Sequence, residues 1–533
     1  MASIDPQEQG RSIAGPWRLA AVPEGCTDGS TADQPLRGLY RYQIQTVSVP
    51  GWRRRSTTFG HGGSSYSSAS NSCPSSNSGY SSGSASAAAL ECLGSQELTR
   101  IARQMVTDGY TQRMAQAFDD ASPAPAFKFG GSPDHALGNW FSELDVDWVL
   151  QIHDEHGLRR LLRDKPATTR DLVDKWIRAL AVIVASITDL LFVFETPAAV
   201  LPFGKASIVQ MLDVVDVIIT VLEAEKLQLV LDIFTCVCDA LHVFTSLVFS
   251  SEINSIFKGI RSLLEKQENT LSNIIGSTMW ELRTLVKEDD SWALEISRGG
   301  GEVHKNTRFI MYCIVSMMNA RTSTQNSAPS RSSADLGFLI DVTIDYLKVL
   351  LFTKSESCSD QSLRYLFLLN NFYFVTHVLS ESSGSFIRDS CHLTLPSQCH
   401  VVSESSGSFI PDSWHLTLPS ECQKYMDSYL DVSWGHVLSC ITKSRFPGPI
   451  HCWINTSSLA KFESAFHKMY QAQKLWKVPD PQLRDSLRRA IIERVISGYR
   501  DYLKEHPELK KHVGRESSSP EVLQAMLGEL FEG

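Results

Sequence analysis

From about Leu90 to the end of the chain, apolar residues recur every three to four positions. Leu98, Ile101 and Met105 begin the pattern. Leu172, Trp176, Leu180, Ile183 and Ile187 fall on one stripe within Asp171–Phe194, and Ile208, Leu212, Val215 and Ile219 repeat it within Ser207–Leu222. Leu227–Phe249 and Ile256–Val286 continue it. This is the period of a helix that buries one face. No stretch alternates with period two for long, and no turn signal joins two such runs. The expectation is an all-α core of helices joined by short turns.

The beginning of the chain reads differently. Residues 1–55 hold many turn formers and little periodicity. From Ser56 to Ala87, 14 of 32 residues are Ser and none is Lys, Arg, Asp or Glu. Such a segment buries too little apolar surface to offset the entropy of ordering it. It reads as a disordered arm or linker, part of a largely disordered region 1–90. A chain of 533 residues has room for about three or four domains. The expected division is 1–90, then 91–298 as N-terminal helical bundles, 299–440 as a middle bundle, and 441–533 as a C-terminal helical module.

Some helix ends are legible. Asp480-Pro481 supplies an N-cap and a proline for the first helical position. Ser519-Pro520-Glu521 does the same, with Glu521 in the positively polarised first turn. Asn319–Asp335 reads as a polar, mobile loop. One internal repeat stands out. VLSESSGSFIRDSCHLTLPSQC at Val378–Cys399 returns as VVSESSGSFIPDSWHLTLPSEC at Val401–Cys422, with 18 of 22 positions identical. Two copies are too few for a solenoid, so the pair reads as a local duplication inserted in a loop.

Signatures of chemistry do not assemble. Phe203-Gly204-Lys205-Ala206-Ser207 lacks the upstream glycine of a phosphate loop. Gly299-Gly300-Gly301 follows no strand, so it reads as a turn before a helix rather than a dinucleotide fingerprint. Cys391-His392, Cys399-His400 and Cys422 match no familiar zinc spacing. Asn455-Thr456-Ser457 has the form of a glycosylation sequon, and capping of a helix is its simpler role. No enzyme activity, cofactor or metal is expected.

Targeting signals are equally sparse. Met1–Trp17 has no apolar leader core, and Ala at position 2 rules out myristoylation there. The run Ala179–Phe194 is shorter than a bilayer needs and carries Asp189, so it reads as a core helix. Twelve scattered cysteines without paired spacing fit reduced thiols.

Charge is unevenly spread. Ile441–Arg515 holds fifteen Lys and Arg against seven Asp and Glu, a net +8. The formal charge of the whole chain is −9, so the remainder carries −17. An acidic body with a basic terminal module points to an anionic surface as partner. The overall negative charge argues against nucleic acid.

Four motifs then carry a family resemblance: GGGEVHKNTRFIMYCI at Gly299–Ile314, SLRYLFLLNNFYFVTHV at Ser362–Val378, WINTSSLAKFESAF with WKVPDPQLRDSL within Trp453–Leu487, and the closing LGELFEG. In this order they resemble the seventy-kilodalton subunit of the exocyst in its plant form, over roughly residues 97–533. The resemblance implies an elongated rod of consecutive antiparallel helical bundles. It implies a non-enzymatic subunit that tethers secretory vesicles to the plasma membrane in exocytosis, cytoplasmic and peripheral at that membrane. Its partners would be other exocyst subunits, small GTPases and a phosphatidylinositol 4,5-bisphosphate surface. The family's lipid-binding region matches Lys504, Lys510, Lys511 and Arg515, with Arg484 and Arg488 on the preceding helix as further contributors. The family's long N-terminal heptad helix has no match in residues 1–90. The alternative reading is therefore an adaptor that has left the complex, for example in plant immunity.

Overall fold

The computed structural model describes residues 38–48, 96–120, 133–164, 168–193, 200–222, 226–246, 251–327, 331–382, 414–441, 451–509 and 519–532. Seventeen α-helices occur among them. The first nine are α1 (Leu39–Thr46), α2 (Gln96–Thr107), α3 (Tyr110–Asp120), α4 (Pro133–Glu143), α5 (Glu155–Asp164), α6 (Thr169–Val193), α7 (Val200–Val221), α8 (Lys226–Ser246) and α9 (Ser251–Glu288). There follow α10 (Trp292–Arg298), α11 (Lys305–Ser327), α12 (Arg331–Ser355), α13 (Gln361–Ser382), α14 (Trp414–Ser439), α15 (His451–Gln473), α16 (Pro481–Glu505) and α17 (Pro520–Gly528). The described residues form no sheet, only the isolated bridge Lys477–Glu532.

Packing advances along the chain. α2 lies on α6, and α6 on α7 and α8; α8 lies on α9 and α11, α11 on α12 and α13, α13 on α14, α14 on α15 and α16, and α16 on α17. Contacts between near neighbours in sequence build a rod of consecutive antiparallel bundles. Apolar burial holds it together. Trp140, Trp176, Trp292 and Trp434 are all fully buried, and the Trp176 indole donates to the Met211 carbonyl at 2.7 Å, which satisfies its one polar group inside the core.

α6 covers the apolar run around Ala179 and is a core helix, as expected. Asp189 lies close to Arg103 at 3.5 Å, and burial pushes its carboxyl above the ordinary value. Among the described residues one helix, α8, is long and apolar enough to cross a bilayer. It is 89% buried inside the fold.

The structure departs from sequence expectation in several places. The polar run at Asn319–Asp335 is mostly helix, because α11 continues to Ser327 and α12 starts at Arg331. Hydroxyls explain the continuity. Thr322 and Thr324 donate to the carbonyls of Met318 and Arg321, so their polarity is satisfied within the helix. A short helix, α1, forms inside the region expected to show little periodicity, with Tyr40 and Ile44 buried. The Ser56–Ala87 stretch lies outside the described residues. So do most of the two repeat copies, but the pair is more than a loop insertion. The first copy begins in the last turns of α13 and the second ends in the first turns of α14, where Leu418 and Cys422 are buried.

Candidate functional site

The basic module is carried by α15, α16 and α17, and its attachment to the middle of the rod is built from the four sequence motifs. The Gly299–Gly301 turn joins α10 to α11, as expected. Gly300 and Gly301 have φ of 59° and 83°, a region L-residues rarely adopt. Space also demands glycine at position 300, where a Cβ would lie 3.1 Å from Trp476 Cα. The turn therefore lets the α15–α16 connection approach to backbone contact, and the Lys477 amide donates to Gly300 O at 3.0 Å.

The paired asparagines of α13 close this junction. Asn370 is buried, and its amide donates to Gly301 O at 2.7 Å and to Lys477 O at 2.9 Å. One side chain thus ties the middle bundle to both sides of the crossing. Asn371 accepts from the His304 amide at 3.0 Å and the Thr307 hydroxyl at 2.7 Å, which caps the first turn of α11. The closing motif joins too. Lys477 bridges to Glu532, and Arg488 donates to Leu530 O at 2.8 Å and pairs with Glu532 at 3.2 Å.

Beside this clasp the His304 ring stacks on Trp292 at 3.7 Å between centroids. Its Nε2 lies 2.9 Å from Glu295 but out of line for a hydrogen bond. Burial favours the neutral ring and Glu295 the charged one. Burial wins, and the ring titrates at about 4. Glu295 itself is held below the ordinary carboxylate value, first by the hydrogen bond from Lys305.

The sequence-derived lipid residues do not all fall on described ground. Lys504 is exposed at the end of α16 and pairs with Asp501 at 3.1 Å. Lys510, Lys511 and Arg515 lie outside the described residues. Arg488 is a correction: only 15% of its side chain is exposed, and its guanidinium is spent on Leu530 and Glu532 rather than offered to a membrane. Arg494 is paired with Asp431, and Arg500 lies 3.5 Å from Glu521. Asn455 is a second correction. It sits inside α15, buried, 2.9 Å from His506 Nδ1, so it pairs helices rather than capping one. Asp480 and Ser519 do cap as expected, accepting from Leu483 N at 2.9 Å and Val522 N at 3.3 Å.

No group of three or more His, Cys, Asp or Glu poised for a metal occurs among the described residues. Burial pushes the Cys313 thiol up to about 12, which leaves it an inert core residue. The class defined by these features is an all-helical rod whose terminal module is locked on by a polar junction.

The particular family follows from comparison with known proteins. A family model for the C-terminal part of the Exo70 exocyst complex subunit matches residues 201–529. The chain belongs to this Exo70 family of exocyst complex subunits. Among Arabidopsis thaliana proteins, it is similar to exocyst complex component EXO70B1, 24% identical over 388 residues that make up 68% of this chain and 57% of that protein. It is also similar to exocyst complex component EXO70A3, 25% identical over 325 residues, 58% of this chain and 50% of the relative. The chain thus spans about half the length of these relatives. A crystal structure of the S. cerevisiae exocyst component Exo70p aligns over 84% of this chain and 100% of its own, at 14% identity and a TM-score of 0.34.

Proposed function

We propose that this protein is an exocyst subunit that tethers secretory vesicles to the plasma membrane in exocytosis, and that its basic C-terminal module meets the phosphoinositide surface. In this reading Lys504, Lys510, Lys511 and Arg515 are the lipid contacts. Other exocyst subunits and small GTPases are the protein partners, and the location is cytoplasmic and peripheral at the plasma membrane. The protein acts by binding, without catalysis or cofactor. The chain divides into a 91–298 body, a 299–440 middle bundle and the 441–533 module.

The observation that carries the reading is the junction itself. Four motifs far apart in sequence converge on one polar clasp, and the family match, over residues 201–529, covers the first three of them and the start of the fourth. A clasp of directional hydrogen bonds fixes the orientation of whatever the module binds. Each exposed Lys or Arg held near an anionic leaflet contributes about 1 kcal/mol, so four give useful but reversible attachment.

Co-purification from plant cells tests membership of the complex. A tagged full-length chain should retrieve the other exocyst subunits at near-stoichiometric yield. Recovery of the folded chain without them would favour the adaptor reading and remove the tethering role.

A further inference from the structure

The short helix α1 is attached to the body in an unusual way. Its N-cap residue is Gly38, whose φ is 89° and which offers no side chain to cap the helix. The cap comes instead from Glu143 at the end of α4, 105 residues later. Its carboxylate accepts from the amides of Gly38 at 3.0 Å, Tyr40 at 3.0 Å and Arg41 at 3.3 Å. A helix of eight residues with no cap of its own does not persist alone in water. α1 therefore forms on the surface that holds it.

That surface is built like a receptor. Asp145 is a non-glycine residue with φ of 61°, strain of the kind that collects at ligand clamps. Its side chain is only 2% exposed and receives Arg41 at 2.6 Å and Lys175 at 2.9 Å. Burial alone would raise its carboxyl, but hydrogen bonds from Lys175, Gln45 and Arg41 bring it below the ordinary value. Asp108 accepts from the Tyr40 hydroxyl at 2.6 Å, and Arg178 donates to Val47 O at 3.3 Å. Tyr40 and Ile44, one turn apart, fill the apolar floor between α2, α4 and α6. The helix reaches α2 only through residues 49–95, which include the uncharged Ser-rich stretch.

We propose that this cleft is a helix-binding site and that residues 38–48 are its built-in, exchangeable ligand. The cleft takes an amphipathic helix that opens with free amides for Glu143, carries an aromatic and an aliphatic residue four apart, and presents an arginine to Asp145. Because it is part of the same chain, the segment meets the cleft without paying the entropy of a bimolecular encounter. A partner helix of the same chemistry enters when it leaves.

The test uses the full-length chain and a fluorescent peptide of residues 36–48, read by anisotropy. In the Tyr40→Ala/Ile44→Ala variant the cis helix loses its anchors, and the peptide should bind saturably. Wild type should bind it at least a hundredfold more weakly, because the cleft is filled. Adding Glu143→Gln to the double variant should weaken peptide binding tenfold or more, since that carboxylate caps the helix. Circular dichroism reports whether the body stays folded. A folded double variant that ignores the peptide overturns the proposal. Equal binding by wild type does so as well. Global unfolding of the double variant would show α1 to be part of the core and also ends the proposal.

Discussion

α8 and α16 are both long helices of one rod, yet they are held by different physics. α8 is buried on nearly every side by α6, α9 and α11, with Leu231, Ile233, Phe234 and Val237 inaccessible to solvent. α16 buries a single stripe through Leu487, Ile491, Val495 and Tyr499, and its arginines reach out to Leu530, Asp431 and Glu521. Apolar burial is non-directional and supplies most of the stability. Hydrogen bonds and ion pairs are directional and fix orientation. Both regions are thus held by what they exclude from water, and the basic module is oriented in addition by the partners of its half-buried Arg488, Leu530 and Glu532.

The largest effect should come from the body. Phe234→Ala removes a fully buried ring from α8 and should cost about 3–5 kcal/mol in denaturant unfolding. Hydrogen exchange should show the loss across α6, α8 and α9. A cost under about 1 kcal/mol would mean that this packing is looser than it looks.

Asn370→Ala attacks the clasp instead. It strips donors from two backbone carbonyls at a buried crossing and should cost about 2–4 kcal/mol. The two regions should respond unequally, with amides of α14 and α16 losing protection while those of α8 keep theirs. Uniform loss would break the distinction between body and module.

The clasp should also be the acid-sensitive part. His304 titrates at about 4 in the fold, against 6.5 ordinarily. Between those values the unfolded chain binds a proton and the folded chain does not, so stability falls as the pH falls through this window. The loss attributable to His304 is about 3 kcal/mol at most from pH 7 to pH 4. His304→Phe keeps a ring against Trp292 and removes the titration. On acidification from pH 7 to pH 4 the wild type should therefore lose up to about 3 kcal/mol more stability than the variant. Parallel curves would show that the fold does not shift this ring's titration. The smallest effect is local: Asp480→Ala removes the α16 cap and should cost about 1 kcal/mol by thermal or denaturant unfolding.

How much of this was legible depended on range. The caps at Asp480 and Ser519 could be read because donor and acceptor are three residues apart. The apolar stripes could be read because a helix repeats them. The clasp could not: Asn370 and Lys477 are 107 residues apart, and the paired asparagines look alike in a core or on a surface. The roles of Arg488 and Asn455 are hidden in the sequence for the same reason, because their partners Leu530 and His506 are distant in it. α1 leaves no signature in the sequence because eight residues carry too few apolar positions to establish a period, and its cap belongs to another helix. Polar Thr322 and Thr324 suggested a loop until their hydroxyls were seen to bond within the helix.

Membrane attachment by the module is the claim that matters most. Sedimentation with liposomes containing phosphatidylinositol 4,5-bisphosphate tests it directly, comparing the wild-type chain with a Lys504→Ala, Lys510→Ala, Lys511→Ala, Arg515→Ala variant. Binding by the variant should fall several-fold at low salt, and wild-type binding should weaken as salt rises, since charges are screened beyond about 8 Å at physiological ionic strength. Helical content should stay the same; Lys504, the one of the four among the described residues, is exposed, and such a charge adds little to stability. Equal sedimentation of both proteins, or none by either at low salt, would contradict the account.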